Sequence, residues 1–299
     1  MTLKLGTRGS ALALAQSQLV ANEVHRLTGE TVELVEIVTA GDRSSAPVQQ
    51  LGVGVFVSAL RDALIAKEID FAVHSFKDLP TAAVDGLAIA AVPQREDPRD
   101  ALIARDGLTL TELPDGAVIG TGALRRVAQL AALGLPLTTV PIRGNVDTRM
   151  RKVANRELDA IVLARAGLVR LGRADEITEI LDPMLMLPAP AQGALAVECR
   201  ADFVELLSAL DDRATRAAVT AERAFLATLE AGCSAPVAAL AEVTEDDEIY
   251  LRGAVISIDG SYALRLSRTG TLAEAEEVGR LLAADLLEDG ADHVLGTTA

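Results

Sequence analysis

The chain has 299 residues, half of them apolar and 24% charged, which is enough to bury substantial cores and predicts two or three domains. No apolar run is long enough to span a bilayer, and residues 1–10 lack the apolar stretch of a secretory signal, so we expect a soluble cytoplasmic protein. The net charge of -15 argues against general nucleic-acid binding, which depends on cations that neutralise phosphates. Aromatic residues make up 2% and there is no Trp, so recognition should be electrostatic.

Cysteine and histidine usage limits the covalent and metal chemistry. Cys199 and Cys233 are too few for a disulfide scaffold and lack the paired spacing of a zinc site. His25, His74 and His293 lie far apart in the sequence, so we predict no metal centre.

The first third of the chain alternates strand-like and helix-like segments. Ser10 is a candidate N-cap for an Ala- and Leu-rich helix that Gly29 ends. This βαβ rhythm predicts a parallel sheet flanked by helices. The predicted strands cover 3–5, 32–38, 71–73 and 87–92, and the predicted helices cover 11–27 and 57–66.

A second α/β unit follows the polar, proline-bearing segment 93–100, which we interpret as a crossover between two lobes. Pro188 and Pro190 close this unit, and we expect strand 195–198 to return to the first lobe, so that two crossovers join the lobes. Such double hinges permit opening and closing. The predicted elements of the second unit are strands 117–119, 138–142 and 160–163 and helices 124–133 and 146–153.

The last eighty or so residues have a different pattern. Residues 249–258 and 262–266 flank the dipeptide Asp259-Gly260, which predicts an antiparallel hairpin. Thr271 and Glu274 form a capping box for a helix that ends at Gly290. We therefore predict a small α+β third domain. The predicted domains are 1–93 plus 194–212, 98–188, and 213–299.

Basic residues gather where the predicted strands end and loops begin. Ligands of open α/β sheets bind at such strand ends, and guanidinium groups form bidentate pairs with carboxylates. Converging arginines would therefore suit a ligand with many carboxylates, although each arginine taken alone could equally pair with a surface acid. The basic residues concerned are Arg8, Lys77, Arg125, Arg126, Arg143, Arg149 and Arg170.

The segment 75–80, SFKDLP, follows a short apolar strand, and Pro80 ends the regular structure. Lys77 could bind an anion, and Asp78 could stabilise a developing cation or accept a hydrogen bond from a ring N–H group. The alternative is that Asp78 only caps a helix or a turn, and the residues alone favour neither interpretation.

The glycine-rich turn 120–126, GTGALRR, lies between a strand and a helix and offers backbone N–H groups to an anion. It lacks the lysine and the Ser/Thr of a Walker loop, and no supporting metal ligands occur, so a phosphate-dependent transferase is disfavoured. Pyridoxal phosphate on Lys77 has no motif support.

The two cysteines have different surroundings. Cys233 lies between Gly232 and Pro236 in a predicted loop, where a thiol can act as a nucleophile if it is exposed and ionised. Most such cysteines are inert, and the residues alone do not decide the matter. Cys199 ends an apolar strand and is predicted to be buried.

Taken together, these segments resemble the porphobilinogen deaminase family along nearly the whole chain, in order and at the expected separations. Any one of them could match by chance, whereas the ordered set is highly specific. The matching segments are 7–10 (TRGS), 73–80 (VHSFKDLP), 95–102 (REDPRDAL), 124–126 (LRR), 142–149 (IRGNVDTR), 166–172 (AGLVRLG), 188–200 (PAPAQGALAVECR), 220–225 (TAERAF) and the glycine-cysteine loop at Cys233.

The resemblance implies a transferase of tetrapyrrole (heme, porphyrin) biosynthesis, with two periplasmic-binding-protein-like lobes and a third domain that carries a dipyrromethane cofactor on Cys233 through a thioether. Four porphobilinogen molecules would join head to tail with loss of ammonia to give hydroxymethylbilane. The resemblance also implies a monomer. Asp78, Lys77 and Arg8 would be catalytic. The positions that correspond to cofactor- and carboxylate-binding residues are Arg8, Ser10, Ser75, Lys77, Asp78, Thr121, Arg125, Arg126, Arg143, Arg149, Arg170 and Gln192, the last near the cleft at the second crossover.

The chain departs from the family pattern in two places. Gly122 and Ala123 stand where many relatives have two serines, so two hydroxyl contacts are absent. Val53 and Ser58 stand where lysines are common in the glycine-rich loop, which we still interpret as a lid.

Two alternatives remain. The chain could be a bilobal solute-binding module that shares the fold without the chemistry, or a family member that has lost activity. The cysteine loop argues against the first alternative, and retention of Asp78, Cys233 and the arginines argues against the second.

Overall fold

The computed structural model describes residues 2–38, 57–230 and 235–296, and the chain divides into two compact units. The first comprises Met1–Glu96 and Ala194–Arg216, and the second comprises Asp97–Gly193 and Ala217–Ala299. The loop with Val53 and the loop with Cys233 lie outside the described residues. The division into three domains stays a prediction.

The regular elements of the described residues follow in chain order. The strands are β1 Thr2–Thr7, β2 Thr31–Glu36, β3 Phe71–Ser75, β4 Leu87–Ala91, β5 Asp100–Ala104, β6 Val118–Gly120, β7 Thr138–Val140, β8 Ala160–Ala164, β9 Glu179–Ile180, β10 Leu195–Arg200, β11 Val237–Val243, β12 Glu248–Ile256 and β13 Ala263–Thr271. The α-helices are α1 Ala11–Thr28, α2 Ser58–Ile65, α3 Leu124–Ala132, α4 Val146–Ala154, α5 Arg165–Arg170, α6 Val204–Leu207, α7 Arg213–Thr228, α8 Ala275–Glu288 and α9 Ala291–Leu295.

The first unit is built on a five-stranded sheet in the order β2-β1-β3-β10-β4. Strand β1 pairs in parallel with β2 and β3, whereas β10 runs antiparallel between β3 and β4. The predicted return of strand 195–198 to this sheet is therefore confirmed. Ser10 caps α1 as predicted, since its hydroxyl accepts a hydrogen bond from Ala13 N at 3.3 Å, and Gly29 ends the helix with φ 75°.

The second unit contains a five-stranded sheet in the order β7-β6-β8-β5-β9. Strands β6, β7 and β8 are parallel, and β5 and β9 are antiparallel to their neighbours. The predicted strands and helices of this region are confirmed, but β5 and β9 were not predicted. Strand β5 begins at Asp100, at the end of the segment interpreted as a crossover.

The C-terminal part of the second unit is a three-stranded antiparallel sheet in the order β11-β12-β13, with α7, α8 and α9 packed against it. The hairpin and the capping box of Thr271 and Glu274 are confirmed, whereas β11 was not predicted. Gly279 allows α8 to approach α7, because a Cβ there would overlap the carbonyl oxygen of Ala221.

The predicted fold class is confirmed: two mixed α/β sheets are accompanied by a small antiparallel sheet with helices. In the part of the chain that the structure describes, no helix is both long and apolar enough to cross a membrane. Cys199 is wholly buried in β10, as predicted, and burial raises the pKa of its thiol to about 11.

Candidate functional site

In the first unit, the predicted catalytic residues follow two neighbouring strands. Strands β1 and β3 are parallel, so their carboxyl ends lie at the same edge of the sheet. Arg8 follows β1, and Lys77 and Asp78 follow β3. The sheet therefore brings the sequence-predicted residues of this unit to one edge.

A single 3₁₀ turn, Phe76–Asp78, determines which of these side chains are accessible. Phe76 and Leu79 are 6% and 2% exposed and anchor the turn in the core. Phe76 N donates to Ala194 O at 3.1 Å, which ties the turn to the chain just before β10. Lys77 is left half-buried and Asp78 exposed. The turn thus presents the Asp78 carboxylate to solvent.

The two predicted serines of this unit already make contacts. Ser10 caps α1, and Ser75 Oγ lies 3.0 Å from Nε2 and 3.2 Å from Oε1 of Gln16 on α1. These contacts place both hydroxyls where α1 begins. Their binding of a cofactor stays a prediction.

A buried ionic cluster that the sequence analysis missed anchors the strand before the turn. Glu198 on β10 is 2% exposed; its Oε2 lies 3.2 Å from His74 Nε2, and its Oε1 lies 2.9 Å from Arg61 Nη2. Burial alone would raise the pKa of Glu198, but the close contacts with His74 and Arg61 outweigh burial and lower it. The cluster fixes His74, three residues before Lys77.

In the second unit, Arg125 and Arg126 share one buried carboxylate. Arg125 Nη1 lies 2.7 Å from Asp100 Oδ2, and Arg126 Nη2 lies 2.8 Å from Asp100 Oδ1. Asp100 is wholly buried, and both arginines are 5% exposed. Burial would raise the pKa of Asp100, but the two guanidinium groups hold it well below its usual range. Asp100 is thus the counter-ion that permits two cations to be buried in the first turn of α3.

Gln192 belongs to the same buried network. Its Nε2 donates to Asp100 Oδ1 at 2.8 Å and to Pro98 O at 2.7 Å, and the residue is 0% exposed. In the described residues Gln192 orients Asp100. Its predicted place near the cleft as a polar contact stays a prediction.

Arg143 and Arg149 extend the positive charge beyond Asp100. Arg149 Nε donates to Gly144 O at 2.8 Å, and no acidic side chain in the described residues forms an ion pair with either arginine. Burial lowers the pKa of Arg149, and repulsion from Arg126 and Arg143 lowers it further. Arg143 Nη1 is buried without a hydrogen-bond partner in the described residues. Since buried donors are nearly always paired, this cluster of Arg126, Arg143 and Arg149 has the chemistry of an anion site.

The glycine-rich turn before α3 is packed tightly. Thr121 is 1% exposed, and its Oγ1 accepts a hydrogen bond from Ala123 N at 3.3 Å. A Cβ on Gly122 would lie 2.8 Å from Ile142 O. A serine at position 122 would therefore require the backbone to shift, which accounts for glycine at this position.

Arg170, at the end of α5, donates from Nη2 to Gly193 O at 2.6 Å. The arginine is half-buried. Its contact fixes the chain at Gly193, where the first stretch of the second unit ends.

Comparison with known proteins assigns the family. A model described as "Porphobilinogen deaminase, dipyromethane cofactor binding domain" matches residues 3–208, and a model of the C-terminal domain of the same family matches residues 216–288. The chain belongs to the porphobilinogen deaminase family. It is 59% identical to porphobilinogen deaminase of Nocardia farcinica over 98% of this chain and 88% of that protein, and 56% identical to that of Mycobacterium tuberculosis over 98% of both.

Among solved structures, the methionine-binding protein MetQ matches with a TM-score of 0.44 and 14% identity, over 70% of this chain and 89% of that one.

The cluster of Arg126, Arg143 and Arg149 fits the cofactor for which the porphobilinogen deaminase model is named. A dipyrromethane carries an acetate and a propionate on each ring, and a buried guanidinium without a hydrogen-bond partner provides a donor for such a carboxylate. The sequence analysis identified these arginines but missed Asp100. Asp100 directly precedes the apolar segment 101–104, ALIA, and this position at the start of a buried strand could have indicated a buried acid.

We predict that Asp100→Asn destabilises the second unit by about 3 kcal/mol, because it leaves two buried guanidinium groups without a counter-ion. The folded pKa of Asp100 is depressed, so its stabilisation is complete above the usual value of 3.8 and declines as the pH falls below that value towards the folded pKa. Urea unfolding should therefore give the same loss of unfolding free energy in the Asp100→Asn protein, relative to the wild type, at pH 7 and at pH 4.5.

The matched control is Asp106→Asn, which removes an exposed pair with Arg156 in the same unit. Its cost should stay below about 1 kcal/mol. Equal stabilities of the Asp100→Asn and Asp106→Asn proteins would contradict the role of Asp100 as counter-ion.

Proposed function

We propose that this chain catalyses the stepwise head-to-tail condensation of four porphobilinogen molecules, with loss of four ammonia molecules, and that water then releases the product as hydroxymethylbilane. The observation that carries the proposal is the cluster of Arg126, Arg143 and Arg149, with its two buried nitrogen atoms that lack a hydrogen-bond partner within the described residues, Arg126 Nε and Arg143 Nη1, and its mutual repulsion. Every pyrrole brings an acetate and a propionate. A growing chain therefore supplies the negative charge that this cluster lacks.

The arginines would bind and orient substrate rather than react. Arg125 and Arg126 are held by Asp100, so their guanidinium planes are fixed before a carboxylate arrives. Pre-organised donors lose little conformational entropy when they bind, which favours a defined position of the pyrrole rings. We assign Arg143, Arg149 and Arg170 to the same task.

Asp78 would stabilise positive charge that develops on the substrate. When the C–N bond of porphobilinogen breaks, ammonia leaves and the remaining methylene-pyrrole carries a positive charge; a neighbouring pyrrole carbon then forms the new C–C bond and releases a proton. The exposed carboxylate of Asp78 can accept pyrrole N–H groups and stabilise that charge. Lys77 and Arg8, at the same sheet edge, would hold substrate carboxylates.

Cys233 would carry the dipyrromethane through a thioether. When bound, the cofactor supplies the pyrrole carbon to which the first substrate is joined. The choice of Cys233 over Cys199 is supported by the burial and the raised thiol pKa of Cys199, since a protonated, inaccessible thiol is a poor nucleophile.

We also propose that the protein acts in the cytoplasm as a monomer without a nucleic-acid partner. The net charge of -15 opposes phosphate binding, and the free thiol of Cys199 is compatible with a reducing compartment. The monomer follows from the family resemblance.

We predict that Asp78→Asn lowers the turnover of porphobilinogen by about a hundredfold or more, because it removes a charge that matters mainly in the transition state. The thermal midpoint should stay unchanged, since the side chain is exposed. Asp85→Asn, at an exposed turn in the same unit, is the control and should keep full activity. Normal turnover of the Asp78→Asn protein would rule out the assigned role.

We predict that the denatured wild-type protein has a mass larger than its chain by one dipyrromethane, because a thioether survives unfolding. Cys199→Ala should keep this adduct, and Cys233→Ala should lack it. Intact-mass spectrometry of the three proteins decides the site. Loss of the adduct from the Cys199→Ala protein alone would show that the site is wrong, and a bare wild-type chain after incubation with porphobilinogen would favour a binding protein or an inactive relative.

A further inference from the structure

The segment 187–193, which ends the first of the two stretches of chain in the second unit, is fixed although it contains no regular secondary structure. Ala191 within it is 0% exposed and has φ 60°. A non-glycine residue in this left-handed region costs roughly 1 kcal/mol and persists only where surrounding contacts enforce it. Identifying those contacts indicates what the conformation is for.

A buried carboxylate on another element enforces this conformation. Glu222 on α7 is 0% exposed; its Oε2 accepts a hydrogen bond from Ala191 N at 2.5 Å, and its Oε1 accepts one from Ala241 N on β11 at 2.7 Å. Ala239 N on the same strand donates to Pro188 O at 3.0 Å. Glu222 therefore joins segment 187–193 to the C-terminal sheet.

The residues that follow Ala191 hold two of the arginines. Gln192, the next residue, donates to Asp100, which pairs with Arg125. Gly193 O accepts from Arg170 Nη2 at 2.6 Å. Ala191 is thus one residue before Gln192, which orients Asp100, and two residues before Gly193, which orients Arg170.

We propose that Glu222 is a positioning residue for the condensation reaction. By holding the Ala191 amide, it sets the positions of Gln192 and Gly193 and, through them, of Arg125 and Arg170. The helix that carries Glu222 ends at Thr228. This inference rests on the proposed function.

The test compares Glu222→Gln with Glu274→Gln in the cofactor-loaded enzyme. Glutamine can accept only one of the two amides, so one N–H loses its partner. Glu274 is a matched control, because its carboxylate accepts hydrogen bonds from Thr271 N at 3.0 Å and Thr271 Oγ1 at 2.8 Å, in a capping box in the same unit. Both substitutions should lower the thermal midpoint.

Only Glu222→Gln should change the site. We expect its KM for porphobilinogen to rise about tenfold or more with a smaller change in kcat, because misplaced arginines weaken substrate binding in the ground state and the transition state alike. Hydrogen–deuterium exchange of peptides that cover 187–193 should accelerate in this variant and not in Glu274→Gln. A lowered midpoint without either change would reduce Glu222 to a structural role and overturn the proposal.

Two further outcomes of the experiment are distinguishable. If Glu222→Gln does not fold, exchange in the wild-type protein replaces it: the Ala191 amide should be protected as strongly as the amides of β12, and rapid exchange would overturn the proposal. If the wild-type enzyme does not turn over porphobilinogen, the proposed function fails, whereas the exchange comparison still decides whether Glu222 holds the segment.

Discussion

Asp100 is wholly buried and divides its two oxygens between Arg125 and Arg126. One negative charge of this kind cannot also balance Arg143 and Arg149, whose repulsion adds to burial in lowering the pKa of Arg149. Local positive charge therefore persists in a protein of net charge -15. An excess of buried positive charge costs free energy unless a bound anion balances it. A site with such an excess therefore binds polycarboxylates in preference to neutral solutes.

The first unit has the reverse arrangement of charge. There the buried acid Glu198 is paired with Arg61 and contacts His74, and the exposed group in the turn after β3 is the acid Asp78. The proposed division of labour follows: the arginine cluster of the second unit binds carboxylates together with Arg8 and Lys77 of the first unit, and Asp78 of the first unit supplies a negative charge for a developing cation.

The sequence predicted those features that local patterns determine. Ser10 as a helix cap and the apolar strand around Cys199 follow from residues next to one another. Asp100 was missed because it opens a buried strand directly after a polar, proline-bearing segment, and only its distant partners on α3 make its burial favourable. The burial of Glu222 could have been predicted from the sequence, because this residue lies on the apolar face of α7, one turn before Phe225.

The central claim is that the cluster of Arg126, Arg143 and Arg149 binds substrate carboxylates. The most direct measurement is kcat/KM for porphobilinogen at low and moderate salt in the wild type, Arg143→Met and Arg151→Met, the last being an exposed arginine on the same helix as Arg149. We expect Arg143→Met to lose about tenfold or more and to depend less on salt, with Arg151→Met unchanged. Wild-type kcat/KM and salt dependence in Arg143→Met would contradict the account.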